Sequence, residues 1–276
     1  MATVVYIDGF NFYYGAVKGT PHKWLDHEAL CRRLLPKDQI VKIRYFTARI
    51  SARPDDPQQA VRQETYLRAL ATLPLIEIHY GHYVTRPTRM PLANPPAKGA
   101  RTVEVLKTEE KGSDVNLATY LLLDAFQKRC DTAVVISNDS DLAEPVRIAQ
   151  SEAGIKVGVI NPHKAKYRSR RLQGTFFKQL RPSVLAQTQL PAVLHDAQGT
   201  IHKPALVAKT ARARRSGPCT QPPKRLGEYH QSIGQHPGSI KFLPRAFQAK
   251  GPDRNGRAPL TSPHPLEAAT AAIDRR

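Results

Sequence analysis

Two short runs, TVVYID at residues 3–8 and TAVVIS at 132–137, are so densely apolar and β-branched that each reads as a strand buried on both faces. Such a strand needs helices above and below it, and the rest of the chain supplies them. LDHEALCRRLL (25–35) predicts a helix with Asp26 as its cap and Pro36 as its stop. QIVKIRYFTARI (39–50) alternates as a strand, PQQAVRQETYLRALATL (57–73) has apolar residues at helical spacing behind Pro57, and LIEIHYGHYV (75–84) returns to a period of two. Residues 86–101, rich in Pro, Arg and small side chains, read as an exposed loop. VEVLKTEEKGSD (103–114) then leads into a helix over VNLATYLLLDAFQKR (115–129), where Leu117, Leu121 and Ala125 share a face with Ala118 and Leu122. A further helix covers LAEPVRIAQSE (142–152); Pro145 fits only in its first turn, so it begins near Asp141 or Leu142. KVGVI (156–160) is the last strand of the series. Repeated strand–helix units imply a doubly wound, mainly parallel α/β sheet with helices on both faces.

A formal charge of +19 and a pI near 10.1 point to a polyanionic partner, because phosphates attract Lys and Arg before any sequence is read. The charge is unevenly placed. Residues 207–276 hold 13 Lys and Arg against 4 Asp and Glu, a net of +9, which leaves +10 for the first 206. That tail also has 9 Pro and only 10 Leu, Ile, Val or Phe, too few to offset the entropy of ordering it. The organisation expected is therefore a domain over 1–206, its compact core about 1–182, and a basic, Pro-rich, disordered tail over 207–276. No apolar run approaches bilayer length, and the N-terminus shows no secretory pattern, so the expected location is the cytoplasm, with no membrane partner. Cys31, Cys130 and Cys219 lack the number and spacing of a disulfide framework or a zinc site.

Ligands of an open parallel sheet bind beyond the carboxyl ends of its strands. Asp8 ends the first strand, and Asp139 and Asp141 follow TAVVIS; Asp114 opens the long helix and reaches the same rim if that helix packs beside these strands. Four acids from three segments suit Mg²⁺ or Mn²⁺, which take hard oxygen ligands and keep several waters. Asn11 is placed to bind a phosphate oxygen or orient a metal-bound water. Each acid also has an ordinary reading: Asp114 and Asp141 as helix caps, Asp139 as a turn residue, Asp8 as the start of an Asx-turn. His79 and His82 point to opposite faces of a strand, Asp124 reads as solvated, and Glu109 and Glu110 as an exposed turn. Phe10, Phe12, Tyr13 and Tyr14 either stack on unpaired bases or wall the core. There is neither a dinucleotide fingerprint nor a phosphate-binding G-x-x-x-x-G-K-[ST] loop.

Together VVYIDGFNFYYG, EEKGSDVNLATYLLLDAF and DTAVVISNDSDLAEPV resemble, in order and separation, the NYN domain family, in the LabA/DUF88-like branch of the PIN-like ribonucleases. The similarity extends over residues 1 to about 206. It implies a Rossmann-like fold and a metal-dependent ribonuclease site. On this resemblance Asp8, Asp114, Asp139 and Asp141 hold Mg²⁺ or Mn²⁺ and carry catalysis, while Asn11, Ser137 and Asn138 contact substrate. The basic surface, with Lys111 as a further substrate contact, Lys107 and the cluster KAKYRSRR (164–171), would bind phosphates. Tyr120 stands where many relatives carry a further acid, which fits a single ion or a reduced activity. The chain after about Ala208 departs from the family. The expected function is hydrolysis of RNA phosphodiesters, with RNA as partner and a homodimer as a further expectation. The alternatives are a non-catalytic RNA-binding module of the same fold and, behind it, a small-ester phosphatase, whose Asp-x-Asp signature is missing from IDGFN.

Overall fold

A computed structural model describes residues 1–53 and 55–205, so the expectation for the 207–276 tail lies outside the described residues. The chain runs β1 (Ala2–Asp8), α1 (Gly9–Phe12), α2 (His27–Leu34), β2 (Gln39–Ala48), α3 (Gln59–Leu70), β3 (Ile76–Pro91), β4 (Thr102–Lys111) and α4 (Ser113–Phe126). It continues through β5 (Thr132–Ile136), α5 (Ala143–Ser151), β6 (Lys156–Asn161), β7 (Phe176–Gln179), α6 (Pro182–Gln187), β8 (Val193–Asp196) and β9 (Gly199–His202). Seven strands form one sheet in the order β4-β3-β2-β1-β5-β6-β7, and β8 and β9 form a separate antiparallel pair. Every neighbouring pair in the large sheet is parallel except β3 with β4. This is the mainly parallel α/β architecture that the strand–helix alternation implies. Among the described residues no helix is long and apolar enough to cross a membrane.

The strands are apolar throughout because both of their faces are covered. From β1, Val5 and Ile7 enter one core with Leu30, Ile43 and Ile136, while Val4 and Tyr6 enter the opposite core with Leu117, Leu121 and Val146. Each fully buried Leu or Ile contributes about 1.5–3 kcal/mol. Helix starts follow local chemistry. Asp26 caps α2, its Oδ1 accepting from the Ala29 N–H at 2.8 Å, and Pro145 lies in the first turn of α5, just after a 3₁₀ turn at Ser140–Leu142.

Two readings need correction. Residues 86–101 are not wholly loop: β3 continues to Pro91 and pairs with β4 from His82↔Lys111 to Pro91↔Thr102, making a two-stranded arm. Pro87 and Pro91 are tolerated because β2 pairs with β3 only as far as Gly81, so beyond it the far edge of β3 has no ladder bond to lose. Asp124 is not solvated but 1% exposed. Arg44 Nε and Nη2 donate to its carboxylate at 2.8 and 3.1 Å, and the Tyr6 hydroxyl donates at 2.8 Å. Burial pushes the Asp124 carboxyl up, but these bonds and the Arg44 charge outweigh it and hold the group below the usual carboxylate range. The signal was present in the spacing: Asp124 lies three and seven residues beyond Leu121 and Leu117, on their buried face.

Candidate acidic active site

β1 ends at the centre of the sheet, and its last residue, Asp8, is buried. Its Oδ1 accepts from the Asn11 N–H at 2.9 Å, capping α1, and its Oδ2 accepts from the Ser137 hydroxyl at 2.8 Å, at the end of neighbouring β5. The turn into α1 requires glycine: a Cβ on Gly9 would stand 2.6 Å from the Phe46 carbonyl oxygen. Two further bonds order this corner, the first joining the loops of β1 and β5 and the second tightening the β5 loop itself. The Asn138 N–H donates to Asn11 Oδ1 at 2.9 Å, and the Asp139 N–H donates to Ser137 Oγ at 3.0 Å. Asp139 Oδ1 in turn accepts from the Asp141 N–H at 3.0 Å, which starts the 3₁₀ turn.

The third segment arrives from the arm. Gly112, at φ 98°, turns the chain from β4 into α4 in a conformation that side-chain-bearing residues rarely adopt. Glu110 then accepts from the Ser113 N–H at 3.1 Å and hydroxyl at 2.7 Å, leaving Asp114 in the first turn of α4. The capping roles are thus exchanged relative to the ordinary reading of these acids: Asp8 and Asp139 cap, whereas Asp114 and Asp141 do not.

Burial first, and then the charge of Asp114, push the Asp8 carboxyl up to about 7; the Asn11 and Ser137 bonds oppose this and Asp139 adds to it. Asp114 is pushed up to about 6 by crowding against protein and by Asp139, Glu110 and Asp141. Its outer side is open to solvent, which screens part of that push, so Asp8 is the firmer of the two. The predicted acids therefore sense one another across a single rim, and Glu110, read from sequence as an exposed turn, belongs with them. Among the described residues no three His, Cys, Asp or Glu side chains stand close enough to grip one ion between them. The donors are all oxygens with uncompensated negative charge, a set that suits a hard divalent cation.

Around the acids the surface is basic and aromatic. The Asn138 side chain donates to the Tyr167 carbonyl at 2.8 Å and accepts from the Ser169 N–H at 2.7 Å, so it holds a strap over 164–171. On that strap Lys164, Lys166, Arg168, Arg170 and Arg171 are exposed. Lys111 pairs with Glu109 at 3.4 Å rather than with any acid of the rim. Of the aromatic residues, Phe12 is core, Phe10 meets Tyr83 edge-on at 5.9 Å, and Tyr13 remains at the surface. Tyr120 packs at 4.5 Å under the Arg44 guanidinium and at 4.1 Å against the His79 ring. This position therefore belongs to the Arg44–Asp124 network rather than to the acidic rim.

The family model described as NYN domain matches residues 2–179, which span every acid of the rim. A curated relative from Pseudomonas putida (strain DSM 28022 / S16), named 6-hydroxy-3-succinoylpyridine 3-monooxygenase HspA, is 31% identical over 231 residues, covering 73% of this chain and 74% of the relative. A crystal structure of a Vibrio parahaemolyticus RIMD 2210633 protein of unknown function is similar at a TM-score of 0.43 and 16% identity, covering 65% of this chain and 93% of that one.

Proposed function

The chain belongs to the NYN domain family, and from that premise we propose that it is a metal-dependent ribonuclease whose site is the acidic rim of Asp8, Asp114, Asp139 and Asp141. The observation that carries this reading is the buried Asp8 carboxyl at the end of β1, pushed up beside two further acids and, among the described residues, in no ion pair with a cation. A bound Mg²⁺ or Mn²⁺ supplies that neutralisation, together with Lewis acidity and a more acidic water. The chain's own residues do the rest. Ser137 and the Asn11 N–H fix the orientation of Asp8, Asp141 lies open on the solvent side, and the strap at 164–171 gathers the phosphate backbone.

Labelled RNA incubated with Mn²⁺ and the purified wild type, Asp8→Asn or Asp139→Asn tests the assignment. Cleavage by the wild type alone is the expected result, and equal cleavage by all three would identify a contaminant and refute it. Salt-sensitive RNA binding without cleavage would leave the fold as a binding module.

The Pseudomonas putida relative favours a second reading, monooxygenation of a hydroxylated pyridine. There one atom of O₂ enters the product and the other leaves as water, at the expense of two electrons from an added reductant. Oxygen consumption that depends on both 6-hydroxy-3-succinoylpyridine and the reductant would establish it. The net charge of +10 over the first 206 residues favours the polynucleotide, since a small substrate does not need such a surface.

A further inference from the structure

β7 is the last strand of the sheet, and against it, between the end of α2 and the start of α6, lies a cavity of about 310 Å³. Arg33, Lys178, Arg181 and Gln179 supply its polar lining, and no acid among the described residues takes part. Among the described residues none of these three cations forms an ion pair. Lys178 is nonetheless held in place, since its Nζ donates to the Leu34 carbonyl at the end of α2 at 2.7 Å. Three like charges converging on one concave surface repel one another, and that repulsion is relieved when an anion enters. Two guanidinium forks and an ammonium are the donors that recognise a phosphate oxygen set, while the Gln179 amide is committed to the carbonyls of Asn161, His163 and Leu180 and only shapes the wall.

We propose that this cavity is a phosphate-binding site, and that the phosphate it takes is part of a polynucleotide backbone. The adjoining surface argues for the backbone. A second cavity of about 410 Å³ shares Lys178, adds Lys37 and is walled by Phe177. The Arg168 guanidinium lies 3.5 Å from the centroid of that Phe177 ring. Arg168 belongs to the strap that Asn138 ties to the Asp139 loop. Exposed cations therefore run from the acidic rim, along the strap and round the sheet edge into the cavity. Among the described residues Asp38 is the one acid lining the second cavity, and its Oδ1 accepts from the Thr3 hydroxyl at 3.2 Å.

The test uses the full chain carrying Asp8→Asn, so that binding is read without cleavage and the anion site stands or falls apart from the ribonuclease reading. Inorganic phosphate, a mononucleotide and a labelled single-stranded RNA are titrated against this parent, against Arg33→Gln/Arg181→Gln, and against the equal-charge control Lys23→Gln/Lys156→Gln. Arg33 and Arg181 are exposed, so the fold survives their replacement; matching circular dichroism checks this, and Arg33→Lys/Arg181→Lys should restore much of the binding. The cavity variant is expected to bind RNA about tenfold more weakly, with a log–log salt slope shallower by about 1.4, as for two lost phosphate contacts, while the control changes less. Loss of phosphate and mononucleotide binding with an unchanged RNA slope would keep the site but make a free phosphate its ligand. Equal weakening by the two double variants, or unchanged binding of all three ligands to the cavity variant, would overturn the proposal.

Discussion

The Ser137 hydroxyl donates to Asp8 Oδ2 at 2.8 Å, and through that bond the end of β5 sets the orientation of the buried acid at the end of β1. It also lowers the Asp8 pKa against the push of burial. Ser137→Ala should therefore reduce Mn²⁺-dependent RNA cleavage by about 10- to 100-fold, the usual effect of removing a bond that orients a metal ligand. The acid limb of its pH–rate profile should move to higher pH. A variant with unchanged rate and profile would show that Asp8 is not the titrating ligand.

Asp8 also makes the metal-free protein sensitive to pH. Its carboxyl rises from about 3.8 unfolded to about 7 folded, so the folded state holds the extra proton between those values and stability falls as pH rises through them. Asp8→Asn lacks this penalty. In chelator, urea unfolding should find Asp8→Asn more stable than the wild type by about 2–4 kcal/mol at pH 8 and nearly equal at pH 4. Mn²⁺ should close the gap at pH 8; a constant difference at all pH values would contradict this account.

His27 acts in the opposite sense. It is fully buried among Phe12, Tyr45 and Tyr66, and burial pushes its pKa down to about 3. The unfolded chain thus binds the extra proton below about 6.5, and the stability that neutral His27 contributes is lost as pH falls from there towards 3. His27→Phe should flatten the acid limb of stability measured by chemical denaturation between pH 6.5 and 4. An unchanged limb would assign acid sensitivity elsewhere.

Arg44 and Asp124 form a buried pair, 3% and 1% exposed. Removing Asp124 leaves the buried Arg44 with only the partly exposed Glu77, 3.0 Å away, and orphans the Tyr6 hydroxyl, so Asp124→Ala should cost about 3–5 kcal/mol in urea unfolding. Tyr6→Phe/Arg44→Met/Asp124→Leu should lose far less, because neither a buried charge nor the buried Tyr6 hydroxyl is left without its partner. Similar losses in both variants would mean that packing of α4 on the sheet, rather than the ion pair, sets the cost.

Asn138 holds the basic strap at both ends of its amide. Asn138→Ala should raise the RNA concentration needed for half-maximal cleavage several-fold and leave the saturated rate within about threefold, as for lost uniform binding. A fall in the saturated rate alone would instead place Asn138 in the chemistry.

What the sequence determined by itself was local. β-branched runs closed by Asp8 and Ser137, the apolar face Leu117–Leu121–Ala125, the cap at Asp26 and the helix start fixed by Pro145 depend on periodicity and backbone sterics within a few residues, and each is found where that reasoning put it. The rim at the strand ends was legible for the same reason: Asp8 and Asp139 follow parallel strands, and adjacent strands bring their ends together. Only the tertiary structure decided who meets whom across long separations. Asp124 is buried because Arg44, 80 residues away, sits on the face that α4 covers. Residues 86–91 extend as a strand because β4 pairs with them, although their composition reads as loop. The cations of the β7 edge converge only because α2, β7 and α6 meet there. A residue's own neighbours along the chain fix its backbone, but the charge or hydrogen bond that makes its burial affordable comes from strands ordered by the whole sheet.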